Sequence, residues 1–194
     1  MPADAPFPLR RGRVHEVLGP GAFGFALLAI AQTDGPALWI REGWRSGGPD
    51  PLGLARILDP DRLLIAKAAD QTDALAVAEE ALKDGATGFV VIEITRPLDL
   101  REGRRLQLAA RAGQATGLCL IPEGMGSNAS ETRWRASPVF DPGPPDMDRA
   151  LMRWELLKNK SGAAGAWQVR WHHGSPQPEW LPLPTDPDKE KGPA

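Results

Sequence analysis

The stretch GPGAFGFALL, Gly19 to Leu28, has the outline of a phosphate-binding device. A glycine-rich turn from an apolar strand into a helix can cradle phosphates on its backbone N–H groups, and Gly19 and Gly24 keep the GxxxxG spacing of such a turn. A working loop continues with Lys, which carries charge to the β- and γ-phosphates, and with Ser or Thr, which binds magnesium. Here the next two residues are Phe25 and Ala26. Charge-assisted contacts of this kind contribute roughly 1.5–3 kcal/mol each. Losing both weakens nucleotide binding by on the order of 10²- to 10⁴-fold. Phe25, with Leu28 three residues later on its face, is expected to pack inward. The expectation is a degenerate nucleotide site without catalysis and without a cofactor.

Other residues carry weaker signals. Glu93 closes the apolar run FVVIE, where a carboxylate either holds magnesium through water or caps a buried strand. Lys158 and Lys160 alternate on a strand, so they share a face about 7 Å apart. They suit either a partner's phosphates or a charged strand edge that resists aggregation. Arg101, Arg104, Arg105 and Arg111 make one helix face basic, which suits a phosphate backbone, an acidic partner or plain solvent.

His15, His172 and His173 have no carboxylate or cysteine at metal-ligand spacing, so no metal is expected. Cys119, the single cysteine, lies in an apolar strand and reads as core. Seven tryptophans accompany no tyrosine. Trp39, Trp134 and Trp154 read as core. Trp44, Trp167 and Trp171 are candidates for a partner surface, and Trp180 forms an apolar island in a Pro-rich tail.

The elements that must position these residues alternate. Strands are expected at Arg13–Leu18, Pro36–Ile40, Arg62–Ala68, Gly88–Ile94 and Thr116–Pro122. Helices follow the glycine turn and occupy DQTDALAVAEEALKDG and LREGRRLQLAARAG. In the first of these two, Ala74, Val77, Ala78 and Ala81 make the i, i+3, i+4, i+7 stripe, Asp70 or Thr72 starts the helix and Gly85 ends it. After residue 122 the segments ETRWRAS, RWELLKNK and GAWQVRW are strand-like with no helix between them. The fold class is therefore α/β, a mostly parallel sheet flanked by helices with a C-terminal antiparallel extension.

Residues 1–9 read as a flexible N-terminus, 10–173 as one domain, and 174–194 as a Pro-rich disordered tail. The 194 residues and a net charge of -2 suit a single globular domain and give no global attraction to nucleic acid or membrane. With no apolar run of spanning length, the default is a soluble cytoplasmic protein.

This order of pieces resembles RecA: the glycine turn after the first strand, FVVIE at the Walker B position, and a late hairpin with Lys158, Asn159 and Lys160. More closely, GRVHEVLGPGAFGFALL, ALWIREGW, RPLDLREGRRLQLAARAGQATGLCLIP and ETRWRASP together resemble the ImuA family, over roughly residues 10 to 172. The resemblance implies a RecA-like core in a bacterial inducible-mutagenesis cassette. Its partners there are ImuB, a polymerase-like protein that recruits the sliding clamp, RecA itself, and an error-prone DNA polymerase.

Against the RecA pattern this chain has Gly43 (with Glu42 adjacent) at the catalytic glutamate position, and Pro122 and Glu123 in place of an Asn-Gln switch. The segments matching RecA's two mobile DNA-binding loops, TRPLDLREG and EGMGSNAS, are short; the second is Gly/Ser/Asn-rich, which suits a mobile loop or a flexible connector, and lacks the basic and aromatic mix that stacks bases. DNA contact is expected to be weak or indirect. The chain begins almost directly at the core, so long self-filaments are not expected. An adaptor is the leading expectation. The alternatives are a RecA-like ATPase and a division inhibitor resembling SulA.

Overall fold

The protein is described here by a computed structural model that covers residues 5–141, 149–172, 175 and 177–183. The Pro-rich break at 142–148, His173 and the last residues of the tail lie outside the described residues. Five strands and four helices build the first part: β1 (Val14–Leu18), α1 (Ala22–Ala31), β2 (Ala37–Glu42), the single turn α2 (Pro51–Leu54), β3 (Leu63–Ala68), α3 (Gln71–Asp84), β4 (Phe89–Glu93), α4 (Leu100–Gly113) and β5 (Thr116–Leu120). Four strands follow: β6 (Thr132–Pro138), β7 (Arg149–Asn159), β8 (Gly165–His172) and β9 (Glu179–Leu181).

All nine strands form one sheet in the order β3-β2-β4-β5-β1-β6-β7-β8-β9. The neighbours from β3 to β6 are parallel and those from β6 to β9 antiparallel. The mostly parallel sheet with an antiparallel extension is as the sequence predicts. One strand differs. The ETRWRAS strand, expected within the antiparallel part, lies parallel to β1 (Glu16 opposite Arg133) and joins the two halves.

Both faces are covered, so the parallel strands are continuous apolar runs instead of alternating ones. On one face α1 packs over Val17, Trp39, Phe89, Val91, Leu118 and Trp134. On the other, α3 and α4 cover Val14, Ile40, Val90, Ile92 and Cys119. The α3 start is capped by Asp70, which accepts from the Asp73 N–H at 2.9 Å, and Gly85 ends the helix at φ 74°. A reciprocal capping box of Asp99 and Glu102 opens α4.

The described parts of the two end segments, residues 5–9 and 177–183, pack on the core. Phe7 is buried against Phe25 (5.8 Å between ring centroids), Trp154 (5.0 Å) and Trp180 (5.9 Å), and Leu9 is buried beside them. Trp180 belongs to β9, opposite Val169, and meets Trp167 edge-on at 5.8 Å. Pro-rich composition points to disorder only where no apolar side chain finds a core, and here Phe7 and Trp180 find each other. Among the described residues no helix is long and apolar enough to cross a membrane.

Candidate functional site

The glycine turn is shorter than its spacing implies. β1 ends at Leu18, and α1 begins at Ala22 with Gly21 as its N-cap. Three residues therefore make the turn, and their backbone is stitched to β6 and to itself. The Gly21 N–H donates to the Ala136 carbonyl at 2.8 Å, Ala22 to Gly19 at 3.0 Å and Phe25 to Gly21 at 3.0 Å. Gly19 adopts φ 92°, and a Cβ there would stand 2.6 Å from the Ala136 oxygen, so neither the conformation nor the space admits a side chain.

Gly24, expected as the second anchor of a phosphate loop, instead lies in the first turn of α1 and faces Met152. Phe25 is fully buried, its ring centroid 4.5 Å from Trp154 and 5.5 Å from Trp134. Ala26 is likewise buried. The inward packing of Phe25 is as the sequence predicts.

Beside the turn, at the carboxyl ends of β2, β4 and β5, Phe23, Arg41, Arg45, Glu93, Ile121 and Pro122 line an open crevice. Doubly wound sheets hold ligands in this place. Glu93 is buried there and occupied by protein groups. Trp39 donates its indole N–H to Oε1 at 2.8 Å, Arg45 Nε lies 2.8 Å from Oε2, and Arg41 Nε lies 3.5 Å from Oε1. Glu93 is thus a strand-end carboxylate held by two guanidinium groups and an indole N–H. Arg41 also donates to the carbonyls of Ser46 and Gly47.

Glu42, next to Gly43, accepts from Trp44 and from the Thr95 hydroxyl. Among the described residues no three His, Cys, Asp or Glu side chains come together as a metal site.

The lysines of the late hairpin do not stand on an edge. β7 lies between β6 and β8, with a bulge near Lys158. Lys158 Nζ donates to the carbonyls of Ser127 (3.2 Å) and Asn128 (2.9 Å), and Lys160 Nζ to that of Ala129 (2.7 Å). Burial, then the Lys160 and Arg133 charges, lowers the Lys158 pKa. The edge role is corrected: β7 is an interior strand, and both ammonium groups hold the 127–130 turn.

Trp167 and Trp171 are drawn into the aromatic cluster to different degrees. Trp167 packs on Trp134 (5.9 Å) and Trp180, and Trp171 is buried with its N–H on the Ser175 carbonyl. Trp171 is thus part of the core, and Trp167 is half-buried at its border. Trp44, by contrast, is exposed. On α4, Arg105 pairs with Glu79 at 2.5 Å, whereas Arg101, Arg104 and Arg111 are exposed.

Sequence reasoning missed Glu16, Gln71 and the role of His15. Glu16 is buried in β1 and accepts from the Ser127 N–H (2.6 Å), the Ser130 hydroxyl (2.9 Å) and Arg133 Nε (2.8 Å). It fixes the segment read as a mobile loop. Gln71 does the same after β4, its Oε1 accepting from the N–H groups of Thr95 (2.7 Å) and Arg96 (2.8 Å). The available signal was polar residues inside VHEVL, a strand with no wet face.

His15 lies beside Glu16 with Nε2 3.0 Å from the Arg10 carbonyl and Nδ1 2.7 Å from the Thr132 hydroxyl. Since a carbonyl only accepts, Nε2 carries the proton and Nδ1 accepts from Thr132, which in turn accepts from the Trp134 indole N–H. Burial lowers the His15 pKa to about 4, opposed by the Arg10 carbonyl and aided by the charges of Arg13 and Arg10. Between pH 6.5 and about 4 the unfolded chain then binds a proton that the folded chain refuses. Stability from this group is full above pH 6.5 and lost as pH falls through that window, by on the order of 2–3 kcal/mol at pH 4.5. Denaturant midpoints at pH 7 and pH 4.5 will show a smaller acid loss in His15→Gln than in the wild type. Equal losses exclude His15 as the source.

The fold has solved counterparts. The crystal structure of the RadB recombinase superposes with a TM-score of 0.63 at 17% identity, covering 83% of this chain and 88% of that one. That likeness establishes a RecA-like α/β fold. No family model matches the chain. Protein ImuA of Caulobacter vibrioides, recorded in two strains, is 31% identical over 193 residues, covering 84% of this chain and 78% of the relative. The chain belongs to the ImuA family. Within this ImuA-family chain, the glycine turn follows β1, Glu93 ends β4, and the open crevice beside them is lined by Phe23, Arg41, Arg45 and Pro122.

Proposed function

We propose that this ImuA-family protein is a non-catalytic RecA-like adaptor in damage-induced, error-prone translesion synthesis. Its partners in this reading are an ImuB-like protein, RecA and an error-prone DNA polymerase. The observation that carries it is the burial of Phe25, the residue standing where a phosphate-binding loop needs its lysine. Ala26 supplies no hydroxyl for magnesium, and Glu93 is engaged by Arg41, Arg45 and Trp39. Family membership supports the cassette, and the RecA-like fold supports action through surfaces that a recombinase core offers.

Two measurements test the reading. Titration with labelled Mg-ATP is expected to give no saturable binding below millimolar concentration, and micromolar binding abolished by changing Arg45 would overturn the non-catalytic part. Affinity capture from DNA-damaged cells is expected to recover an ImuB-like protein, RecA or the polymerase. Recovery of division proteins in their place would overturn the adaptor part.

A further inference from the structure

The outer face of α4 has a composition that the core does not require. Gly103, Leu106, Ala109 and Ala110 are the buried residues of this helix. On the exposed side Leu100, Arg104, Leu108 and Arg111 follow at i, i+4, i+8 and i+11, one stripe about 16 Å long. Leu100 is 49% exposed and Leu108 66%. Arg101, Arg104 and Arg111 make no ion pair among the described residues, although Arg96 and Arg105 on the same side of the fold both do.

Next to the stripe runs a shallow groove. Leu100, Arg104 and Leu108 form one wall, and Asn128, Ala129 and Lys160 the other. The groove is preformed, because Gln107 Nε2 donates to the carbonyls of Val14 (2.8 Å) and Ala129 (3.0 Å), and Lys160 ties the same Ala129 carbonyl. A single exposed leucine is ordinary surface. Two leucines spaced by two helical turns, with unpaired guanidinium groups between and beyond them, make a site with defined chemistry.

We propose that this groove binds an acidic amphipathic helix of a partner protein. Apolar residues one or two turns apart on that helix seat against Leu100 and Leu108, and its Asp or Glu residues face Arg101, Arg104, Arg111 and Lys160. A helix fits better than an extended strand because α4 offers no free backbone edge for pairing. A peptide fits better than nucleic acid because the groove has no aromatic side chain on which bases stack, and a phosphate backbone leaves both leucines without contact. The inference deepens the adaptor reading and rests on it only in requiring a protein partner.

The test is selection from a displayed library of random peptides of roughly 16 residues, long enough for four helical turns. The whole chain serves as bait, with counter-selection against Leu108→Ser and Arg104→Glu. Both variants change solvent-facing groups, and their denaturant midpoints should match the wild type. The expected winners carry apolar residues at i and i+4 interleaved with acidic ones, and bind each variant about tenfold or more weakly. No enrichment, or winners without the acidic-apolar pattern, or affinities unchanged in Leu108→Ser, overturns the proposal. So does salt-sensitive binding of a short single-stranded oligonucleotide that Arg104→Glu abolishes and Leu108→Ser leaves intact.

Capture from damaged cells separates the two readings. A Leu108→Ser bait that recovers the ImuB-like protein as well as the wild type does leaves the adaptor standing and removes the groove. A wild-type bait that recovers none of the cassette proteins removes the adaptor while the peptide selection still decides the groove.

Discussion

Restoring the missing lysine and hydroxyl, by Phe25→Lys together with Ala26→Thr, will unfold this protein and will not create a nucleotide site. Phe25 sits between Phe7, Trp134 and Trp154 with no solvent exposure. Deleting such a ring costs roughly 3–5 kcal/mol. An unpaired ammonium in the same space adds several kcal/mol, because the rings of Phe7, Trp134 and Trp154 around it offer no counter-charge. The sum is comparable to the whole stability of a typical domain, about 5–15 kcal/mol.

The double variant is therefore expected to lose its cooperative thermal transition, read by circular dichroism, while Phe25→Leu keeps one with a midpoint lowered by several degrees. A folded double variant that binds Mg-ATP would show that the turn can reopen as a loop, and would sink the structural account of Phe25.

Glu16→Ala is expected to cost about 3–5 kcal/mol, the range for breaking one side of a buried pair. The carboxylate is almost fully buried and receives three donors: the Ser127 N–H, the Ser130 hydroxyl and Arg133 Nε. Removing it strands Arg133, whose Nη2 also holds the Ser127 carbonyl at 2.9 Å, and removes a negative charge that favours the Lys158 ammonium. Glu16→Gln keeps acceptor capacity for the Ser127 N–H and should lose less. Denaturant unfolding measures the cost. Limited proteolysis locates it, with new cleavage expected between residues 123 and 131 in Glu16→Ala and not in Glu16→Gln. Cleavage at unrelated sites would mean that Glu16 supports the sheet in general and not this segment.

The elements that depend on local signals were legible. The α3 stripe with its Asp70 and Gly85 boundaries and the inward turn of Phe25 follow from side-chain periodicity and caps, which act within a few residues. The glycine turn was misread at Gly24 because spacing counts residues but does not locate the first helical turn. That start is set by the Gly21 N–H on Ala136, far along the chain. Trp167 and Trp171 were legible as sharing a strand face. That Trp167 is packed over depends on Trp180, from a segment whose composition suggested disorder. The two roles weighed for Lys158 and Lys160, a partner's phosphates and a strand edge, left out the carbonyls of 127–129, because these are backbone groups with no mark in the sequence.

The place of β1 in the sheet bears on how the chain is made. Its neighbours on both sides are β5 and β6, with Val14 opposite Gly117 and Glu16 opposite Arg133. About 100 residues must leave the ribosome before either flank of this strand can pair, roughly 5–20 s at ordinary elongation rates. Throughout that interval VHEVL and the α1 residues behind it are an apolar segment without its sheet, and Phe7 waits longer still for Trp154 and Trp180. Among the parallel strands β1 thus waits longest for a partner after it is made, since β2 and β4 meet theirs within a few tens of residues.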